Sequence, residues 1–433
     1  MKILVVSGEY PPMKGGVGRY THHLVHALRE KKKEKNIEVH VAIDGFHRKV
    51  TTTTTTTTRT SPTIANKISD SSSYNDTDKD DDNNVDHRIY YGVVKKGDRK
   101  NSDRLLDLIH QLKPDIVNIQ YERGLYEVDT TVYHMVRRVL YGSTLDKFYK
   151  ECPVPTVSTL HTVIPYDEYQ EYIKERALRK EGRLSYLPLA FRAAIRRWVM
   201  ERRYQLLLEV VQLSHELISP ANTIYKIVKR GTVIYHGAEP SIQLLDHVND
   251  KQKFRKEFGL PDNKMLLLAF GHIGSYKGFD ILDDISLPSG WSLVVKQNKH
   301  ERGVEQPVYI KNAINLDLGY LDDITLSKLF FACDAIIFPY KVVSISGVLF
   351  DALAHGLPFI ASNLSFFREF AEMNLGITCN RDTKSFSESI ACLAADYNQY
   401  RRNVEQFKPK LRWSNIADRH IEFYSKLLKA FPN

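Results

Sequence analysis

The chain has 433 residues, and its 61 Lys and Arg against 52 Asp and Glu give it a formal net charge of +9. Hydrophobic residues make up 42% of the chain, which is enough to bury the cores of two or three domains of ordinary size. The positive charge favours anionic partners such as nucleotides, lipid head groups or nucleic acid, and it does not choose among them.

The cysteines and the apolar runs bear on the cellular compartment. The four cysteines, Cys152, Cys333, Cys379 and Cys392, form no CxxC pair and no metal-ligand spacing, which predicts reduced thiols in a cytosolic protein. The N-terminal apolar run is too short for a signal peptide, and no segment reaches the roughly 18 uncharged apolar residues of a membrane span. We therefore expect a cytoplasmic protein.

The first half of the chain alternates apolar strands with helices. The predicted strands are 3–7, 37–44, 115–120, 155–161 and 215–220. The predicted helices are 16–33, 101–112, 129–141 and one or two over 168–210. This alternation predicts a parallel α/β sheet with helices on both faces. Residues 50–86 include eight consecutive threonines and a Ser/Asp/Asn-rich run, and they lack the apolar content of a folded segment, so we predict a disordered insertion there.

A second α/β series begins at residue 265, after a stretch at 233–240 that leads into a linker. It contains predicted strands at 265–271, 291–297, 313–318, 335–340 and 358–362, a helix at 347–355 and a closing amphipathic helix from 413. We predict two doubly wound domains, 1–220 and 235–412, with 413–433 returning to the first. Such sheets bind ligands at the carboxyl ends of their strands, so the expected site is the cleft between the domains.

The stretch GEYPPMKGGVGRY (8–20) joins the first strand to the first helix. A dinucleotide-binding turn is one interpretation, with Asp44 placed for a ribose. The spacing argues against it, because Thr21 stands where the G-x-G-x-x-G pattern needs glycine, and the loop is long and contains two prolines. We expect instead that the amides of Gly15 and Gly16 face a phosphate held by the other domain.

The second domain contains two candidate anion-binding segments. Lys277 lies in FGHIGSYKGFD, a Gly-rich loop that follows a strand and is predicted to open a helix, where it can act as a point charge on a pyrophosphate. The alternative is a solvated loop lysine. In the other segment a helix begins at Ser346-Gly347, and the amides of Gly347, Val348 and Leu349 are expected to be free donors.

Asp351 lies one turn into that predicted helix. Its carboxylate is placed to accept hydrogen bonds from ribose hydroxyls. The alternative is a carboxylate that only faces the helix dipole.

Together, GGVGRY, HTVIP, GxxxxxKG and SGVLFDALAHGLPFIAS followed by FRE resemble the retaining glycosyltransferases of family 4. The resemblance runs from residue 1 to the start of the last helix at 413–414 and leaves out the low-complexity insertion. It implies the GT-B architecture and transfer of a sugar from a nucleoside-diphosphate sugar with retention of configuration. It also implies that no metal and no other cofactor is required.

The resemblance also implies roles for individual residues. Gly15 and Gly16 approach the donor phosphates and the transferred sugar, His161 lies beside the sugar at the reaction centre, and Lys277 binds the diphosphate. A core histidine is the alternative for His161. His272 stands where the family often has an arginine, and a neutral histidine there contributes less charge to the diphosphate site.

A larger departure concerns the family's two glutamates, which are separated by seven residues. Asp351 corresponds to the second glutamate, which contacts the ribose, and it is one methylene shorter. The first glutamate, near the sugar, has no counterpart, and Ser344-Ile345-Ser346 occupies that region. Serine hydroxyls and amides can hydrogen-bond a sugar, and they cannot supply a carboxylate.

Two further features have open interpretations. Glu122, at the end of a first-domain strand, is a candidate acceptor contact or a salt-bridge partner. The segment 174–203 has ten Lys and Arg against three Glu, and it is either a solvated helix face or a patch for an anionic membrane surface. No recognised nucleic-acid-binding module is present, so we expect no nucleic-acid partner.

The resulting hypothesis is a glycosyltransferase that moves a sugar to a glycan or lipid-linked acceptor, with His161 and Lys277 at the reaction centre. Two alternatives stay open at this stage. One is a sugar-nucleotide epimerase or phosphorylase on a similar architecture, and the other is a protein that binds nucleotide-sugars without turnover.

Overall fold

Two parallel sheets contain the strands of the described part of the chain. The computed structural model describes residues 1–13, 15–44, 89–128, 140–180, 191, 209–217, 231–298 and 306–431. The predicted disordered insertion at 50–86 lies outside the described residues. Most of the predicted helix at 129–141 and most of the basic segment 174–203 also lie outside them.

The first sheet has seven strands in the order β3-β2-β1-β4-β5-β6-β7, and its neighbouring strands are parallel. The strands are β1 (Lys2–Ser7), β2 (Glu38–Asp44), β3 (Ile89–Val94), β4 (Ile116–Tyr121), β5 (Thr156–Leu160), β6 (Glu209–Gln212) and β7 (Gly231–Val233). β4 is buried along its whole length, as expected for a parallel strand covered on both faces. The strand order reverses between β1 and β4, so ligands are expected beyond the carboxyl ends of these strands.

Helices cover the first sheet. They are α1 (Gly16–Glu30), α2 (Lys32–Lys35), α3 (Asn101–Leu112), α4 (Arg123–Tyr126), α5 (Asp146–Glu151) and α6 (Tyr166–Lys180). In α1, Tyr20, Leu24 and Leu28 recur every fourth residue and are buried, which is the apolar face that the sequence predicts. No helix within the described ranges is long and apolar enough to cross a membrane.

The second sheet has six parallel strands in the order β10-β9-β8-β11-β12-β13. They are β8 (Met265–His272), β9 (Trp291–Asn298), β10 (Ala313–Asn315), β11 (Ala335–Phe338), β12 (Phe359–Ser362) and β13 (Gly376–Cys379). The later helices are α7 (His247–Glu257), α8 (Asp323–Ala332), α9 (Gly347–Ala354), α10 (Ser365–Glu372), α11 (Thr383–Ala395), α12 (Tyr397–Phe407) and α13 (Trp413–Ala430). The predicted architecture of two doubly wound parallel α/β domains is confirmed.

The region around β6 differs from its prediction. β6 overlaps the end of the predicted helical segment 168–210, and residues 213–217 of the chain form bends and turns instead of beginning the predicted strand 215–220. Val210 and Val211 are both buried, so β6 shows no alternation, and a short apolar run of this kind cannot be assigned by periodicity. The predicted strand at 313–318 is also shorter than expected and ends at Asn315.

The last helix, α13, lies against the first domain. Its Asp418 forms an ion pair with Lys31 at the end of α1, at 2.8 Å, and its Tyr424 hydroxyl accepts a hydrogen bond from the side chain of Asn118 in β4. Trp413, the first residue of α13, packs directly against Gly237. The chain thus crosses back over the cleft between the two sheets.

The contact between Gly237 and Trp413 leaves no room for a side chain. A Cβ atom on Gly237 would lie 2.4 Å from the indole ring, so Gly237→Ala forces Trp413 to move, and we expect a loss of about 1–3 kcal/mol of stability. Gly319→Ala is the matched control, because a Cβ there has no atom within 4 Å. Calorimetric melting of both variants measures the effect, and equal melting temperatures would contradict the proposed packing.

Candidate functional site

The carboxyl ends of the two sheets meet at a cleft. Hydrogen bonds between a serine side chain and backbone groups cross this cleft. Ser344, just before α9, accepts a hydrogen bond from the amide of Val163 at 2.6 Å. Its hydroxyl lies 3.2 Å from the carbonyl oxygen of His161, to which it donates. Ser344 therefore joins the loop after β5 to the segment that opens α9. Its hydroxyl is engaged in the region where the resemblance would place a glutamate near the sugar.

The glycine loop before α1 already contains an anion of its own. The carboxylate of Glu9 accepts a hydrogen bond from the amide of Gly18 at 2.9 Å, at the N-terminus of α1. The amide of Gly15 donates to the carbonyl of Met13 at 3.2 Å, so it is not the free donor that the sequence predicts. A Cβ on Gly15 would overlap the Glu9 carboxylate, whereas a Cβ on Gly16 meets nothing within 4 Å. Gly15 thus makes room for Glu9, and Gly16 faces open space.

Lys277 lies in a short 3-10 turn (Ser275–Lys277) and not at the start of the predicted α-helix. The turn ends at Gly278, whose φ of +68° and close approach to the Pro339 carbonyl, 1.9 Å from a Cβ, require glycine. The Lys277 ammonium lies 3.8 Å from the centre of the Tyr340 ring. Burial lowers the pKa of Lys277 to about 7, and no carboxylate in the described part of the chain forms an ion pair with it. Its charge is therefore available to an anion.

Two hydroxyl groups lie buried next to this lysine. The Tyr340 hydroxyl lies within reach of the Ser346 hydroxyl, and beyond each other the two have no hydrogen-bond partner among the described residues. Ser346 precedes α9, and its side chain does not cap the helix. Two buried hydroxyls that have only each other as partners leave at least one proton without an acceptor, which indicates a missing ligand.

The amides that open α9 are only partly available. The amide of Leu349 donates to the carbonyl of Ser346 at 3.0 Å, which corrects the prediction that it is free. Gly347 and Val348, as the first two residues of the helix, have amides without an intrahelical acceptor. With Lys277, Tyr340 and Ser346 they form a set of donors that suits a phosphate or diphosphate.

His272 and Glu122 occupy the edges of the cleft. His272 is the last residue of β8 and pairs in register with Asn298 of β9. Glu122 precedes α4, and burial, followed by the charge of Glu9, raises its pKa above the ordinary value. Glu122 forms no ion pair with a basic side chain of the described ranges, which removes the observation that would favour a salt-bridge role.

Asp351 is bound by the other domain. Its carboxylate lies 2.6 Å from a terminal guanidinium nitrogen of Arg19, whose Nε lies 3.1 Å from Asp323 at the start of α8. Burial alone would raise the pKa of Asp351, and the Arg19 guanidinium outweighs burial and lowers that pKa below its ordinary value. Arg19 is not among the predicted site residues, although it belongs to the GGVGRY motif.

His161 is a neutral hydrogen-bond acceptor. Its Nε2 lies 2.9 Å from the Gln120 amide oxygen, and this oxygen can only accept, so the ring proton is on Nε2 and Nδ1 carries the lone pair. Burial lowers the pKa of His161 to about 3. The ring packs edge-on against Tyr20, with 4.9 Å between centroids. His161 therefore does not act as an acid near neutral pH.

A second histidine, His236, lies in the same cluster and is missing from the predicted site. It also packs against Tyr20, with 4.9 Å between centroids. The signal in the sequence is weak, because VIYHGAEP follows a three-residue strand that is not among the predicted strands. No group of three or more His, Cys, Asp and Glu side chains within the described ranges is arranged to hold a metal ion.

A large cavity lies away from this cleft. It measures about 680 Å³ and is lined in part by Trp291, Asp334 and Tyr397, which lie at or near the amino ends of second-sheet strands or on α12. Asp334 is paired there with Lys251 and Arg255, at 2.5 and 2.7 Å. Since the cleft carries the unpaired donors and this cavity holds paired charges, the cleft is the candidate functional site.

Comparisons with known proteins agree with the fold and give limited sequence support. No family model matches the chain. An uncharacterised glycosyltransferase of Methanocaldococcus jannaschii is 23% identical over 229 residues, which covers 49% of this chain and 57% of that relative. The chain thus spans little more than half the length of the curated relative that it matches.

The solved structures align over nearly the whole chain. Sucrose-phosphate synthase of Thermosynechococcus elongatus has a TM-score of 0.64 at 12% identity and covers 100% of both chains. The catalytic domain of starch synthase IV of Arabidopsis thaliana, bound to ADP and acarbose, has a TM-score of 0.60 at 14% identity, with 99% of both chains covered. HepE of Anabaena, in complex with UDP-glucose, has a TM-score of 0.57 at 13% identity and 100% coverage. The chain therefore has the GT-B fold.

The ion pair between Arg19 and Asp351 generates a test. Arg19→Met leaves a buried carboxylate unpaired, and we expect a loss of about 2 kcal/mol, less than for a fully buried pair because the Arg19 side chain is 32% exposed. The folded-state pKa of Asp351 is depressed, so this stabilisation is present above the ordinary Asp pKa of about 3.9 and is lost as pH falls below it.

The measurement is calorimetric melting at pH 7 and pH 3.5, with Arg19→Lys as a charge-conserving control. The difference in melting temperature between wild type and Arg19→Met should be smaller at pH 3.5 than at pH 7. The double variant Arg19→Met/Asp351→Asn should recover most of the loss at pH 7. A loss that is independent of pH, or no recovery in the double variant, would contradict the ion pair.

Proposed function

We propose that this protein is a glycosyltransferase that transfers a sugar from a nucleoside-diphosphate sugar to a glycan or lipid-linked acceptor, with retention of configuration and without a metal ion. The observation that carries the proposal is the cluster of unsatisfied donors at the carboxyl edge of the second sheet. The Lys277 ammonium lies over the Tyr340 ring, and the Tyr340 hydroxyl lies within reach of the Ser346 hydroxyl. Beyond the contact between the two hydroxyls, these three groups have no acceptor among the described residues.

A diphosphate meets the requirements of this cluster. Its oxygens are strong acceptors for hydroxyls and for the amides of Gly347 and Val348, and its negative charge suits both Lys277 and a helix N-terminus. Nucleotides of the same chemical class are bound in two of the similar structures, UDP-glucose in HepE and ADP in starch synthase IV. They support a nucleoside-diphosphate sugar as the donor.

The chemistry follows from the charge that develops on the leaving group. The bond from the anomeric carbon to the phosphate oxygen breaks, and negative charge grows on the departing diphosphate in the transition state. A hydroxyl oxygen of the acceptor bonds to the anomeric carbon, and the hydroxyl proton passes to the departing phosphate oxygen. Lys277 and the fixed donors at α9 stabilise this charge without reorganising. Retention, implied by the resemblance, requires that the acceptor attacks on the face from which the diphosphate leaves.

One observation favours a second candidate, a protein that binds nucleotide-sugars without turnover. The hydroxyl of Ser344 is engaged by the first domain in the region where the resemblance would place a carboxylate near the sugar. Turnover and binding therefore have to be measured separately.

The test is a thermal-shift screen of UDP-, GDP- and ADP-sugars, followed by an assay of nucleotide release with each stabilising donor, with and without EDTA. A specific donor raises the melting temperature according to its affinity. We expect stabilisation by at least one donor, and nucleotide release that EDTA leaves unchanged. Stabilisation without release in the presence of glycan or lipid-linked acceptors would support the binding protein, and the absence of any stabilising donor would contradict both functions.

Lys277 gives donor binding a characteristic pH dependence. Its pKa is lowered to about 7, and only the protonated amine attracts the diphosphate. The two phosphates of a nucleoside-diphosphate sugar stay ionised near neutrality, so affinity should fall about tenfold between pH 6.5 and pH 8.5. Lys277→Arg should remove this dependence, because a guanidinium remains protonated. Isothermal titration calorimetry of wild type and Lys277→Arg at both pH values measures the affinities. If the affinity of wild type for the donor does not change with pH, Lys277 is not part of the site.

A further inference from the structure

His236 lies between the two domains at the entrance to α9. Its ring stacks on Phe350 of α9, with 5.4 Å between centroids and 9° between planes, and it contacts Tyr20 of α1. A Cβ on Gly347, the first residue of α9, would lie 3.5 Å from its Nε2. His236 therefore borders the helix N-terminus that the proposed function assigns to the diphosphate.

The hydrogen bonding of His236 fixes which nitrogen is free. Nδ1 lies 2.6 Å from the carbonyl oxygen of Gly237, and a carbonyl can only accept, so Nδ1 carries the proton and Nε2 carries a lone pair. Nε2 forms no hydrogen bond with any described residue. Burial lowers the pKa of His236 to about 4, so the ring stays neutral at physiological pH. His236 thus offers the cleft an acceptor.

Acceptors are scarce elsewhere in this part of the site. Lys277, Tyr340, Ser346 and the α9 amides are donors or can act as donors, which suits phosphate. The Asp351 carboxylate is paired with Arg19, and the Ser344 hydroxyl is engaged by the first domain. A sugar presents several hydroxyl protons, so its recognition requires acceptors in addition to the donors that bind phosphate.

We propose that His236 is a specificity-determining residue of the donor site, whose Nε2 accepts a hydrogen bond from a hydroxyl of the sugar attached to the diphosphate. The inference rests on the proposed function and deepens it. His161, whose ring also packs against Tyr20, carries its lone pair on Nδ1. Two neutral rings of this cluster therefore carry lone pairs, whereas Ser344-Ile345-Ser346 supplies no carboxylate.

The test compares a nucleoside diphosphate with its sugar conjugate. UDP, GDP and ADP and their glucose and mannose conjugates are titrated by calorimetry into wild type and three variants. His236→Phe keeps the stacked ring and removes the acceptor. His236→Asn can keep the hydrogen bond to the Gly237 carbonyl, and its shorter side chain places no acceptor at the position of Nε2. His236→Gln places an amide oxygen near that position.

We expect His236→Phe and His236→Asn to lower the affinity for the best sugar conjugate about tenfold. The affinity for the parent nucleoside diphosphate should stay within about twofold of that of wild type. His236→Gln should recover most of the loss. His23→Phe is the matched control, because His23 stacks on Trp413 in the same cluster, at 5.4 Å, and its change should leave both affinities unaltered. Monodeoxy forms of the best conjugate should identify the hydroxyl that His236 binds. When this hydroxyl is absent, wild type and His236→Phe should bind the conjugate with equal affinity.

Different failures have different meanings. If wild type binds a diphosphate and its conjugate, and His236→Phe and His236→Asn bind both as wild type does, the role of His236 is overturned and the proposed function stands. An equal loss of affinity for the diphosphate and for its conjugate also overturns the role of His236, because the effect of the substitution is then structural. If wild type binds none of the nucleotides, the proposed function fails and this inference fails with it. Melting temperatures show which variants are folded. If His236→Phe disturbs the fold, the comparison is made with His236→Asn.

Discussion

A buried carboxylate on one domain and a guanidinium on the other determine how the two sheets face each other. Asp351 is 5% exposed, and a charge at such a depth needs a partner, which Arg19 supplies from α1 at 2.6 Å. Other buried or half-buried carboxylates cross the same boundary. Glu369 of α10 accepts from the amide of His215 at 2.8 Å, and Glu168 of α6 accepts from the amide of Ser365 at 2.7 Å. Because each carboxylate accepts a hydrogen bond across the boundary, the arrangement of the cleft depends on these pairs.

The two sides of the cleft have different chemistry. The second domain supplies hydrogen-bond donors and a positive charge, which are suited to phosphate. The first domain supplies Glu9, Glu122 and the lone pair of His161, which are suited to hydroxyl groups. Burial raises the pKa of Glu122 and lowers that of His161, so it shifts both groups towards their neutral forms. This asymmetry agrees with an anionic leaving group on one side and a polyhydroxyl acceptor on the other.

The sequence predicts the sheets better than it predicts the contacts between them. Continuous apolar runs such as β1 and β8 identify parallel strands, and Lys277, Ser346 and Gly347 follow strands at the edge where ligands bind. β6 is not recognised, because a four-residue strand with only two apolar residues has no distinguishing periodicity. Arg19 and His236 are missed for a different reason. Their partners are Asp351, 332 residues away, and Phe350, and no local pattern encodes such pairs.

Glu9 explains why the glycine loop cannot serve as the phosphate site by itself. A helix N-terminus attracts an anion through its free amides and its dipole, and Glu9 already occupies this position by accepting from the amide of Gly18. A phosphate placed there would face a like charge instead of free donors. The positive charge for a diphosphate must then come from the opposite domain, where Lys277 lacks an internal counterion among the described residues. Gly16, with open space around its Cα, allows the loop to approach a ligand that is held by the second domain.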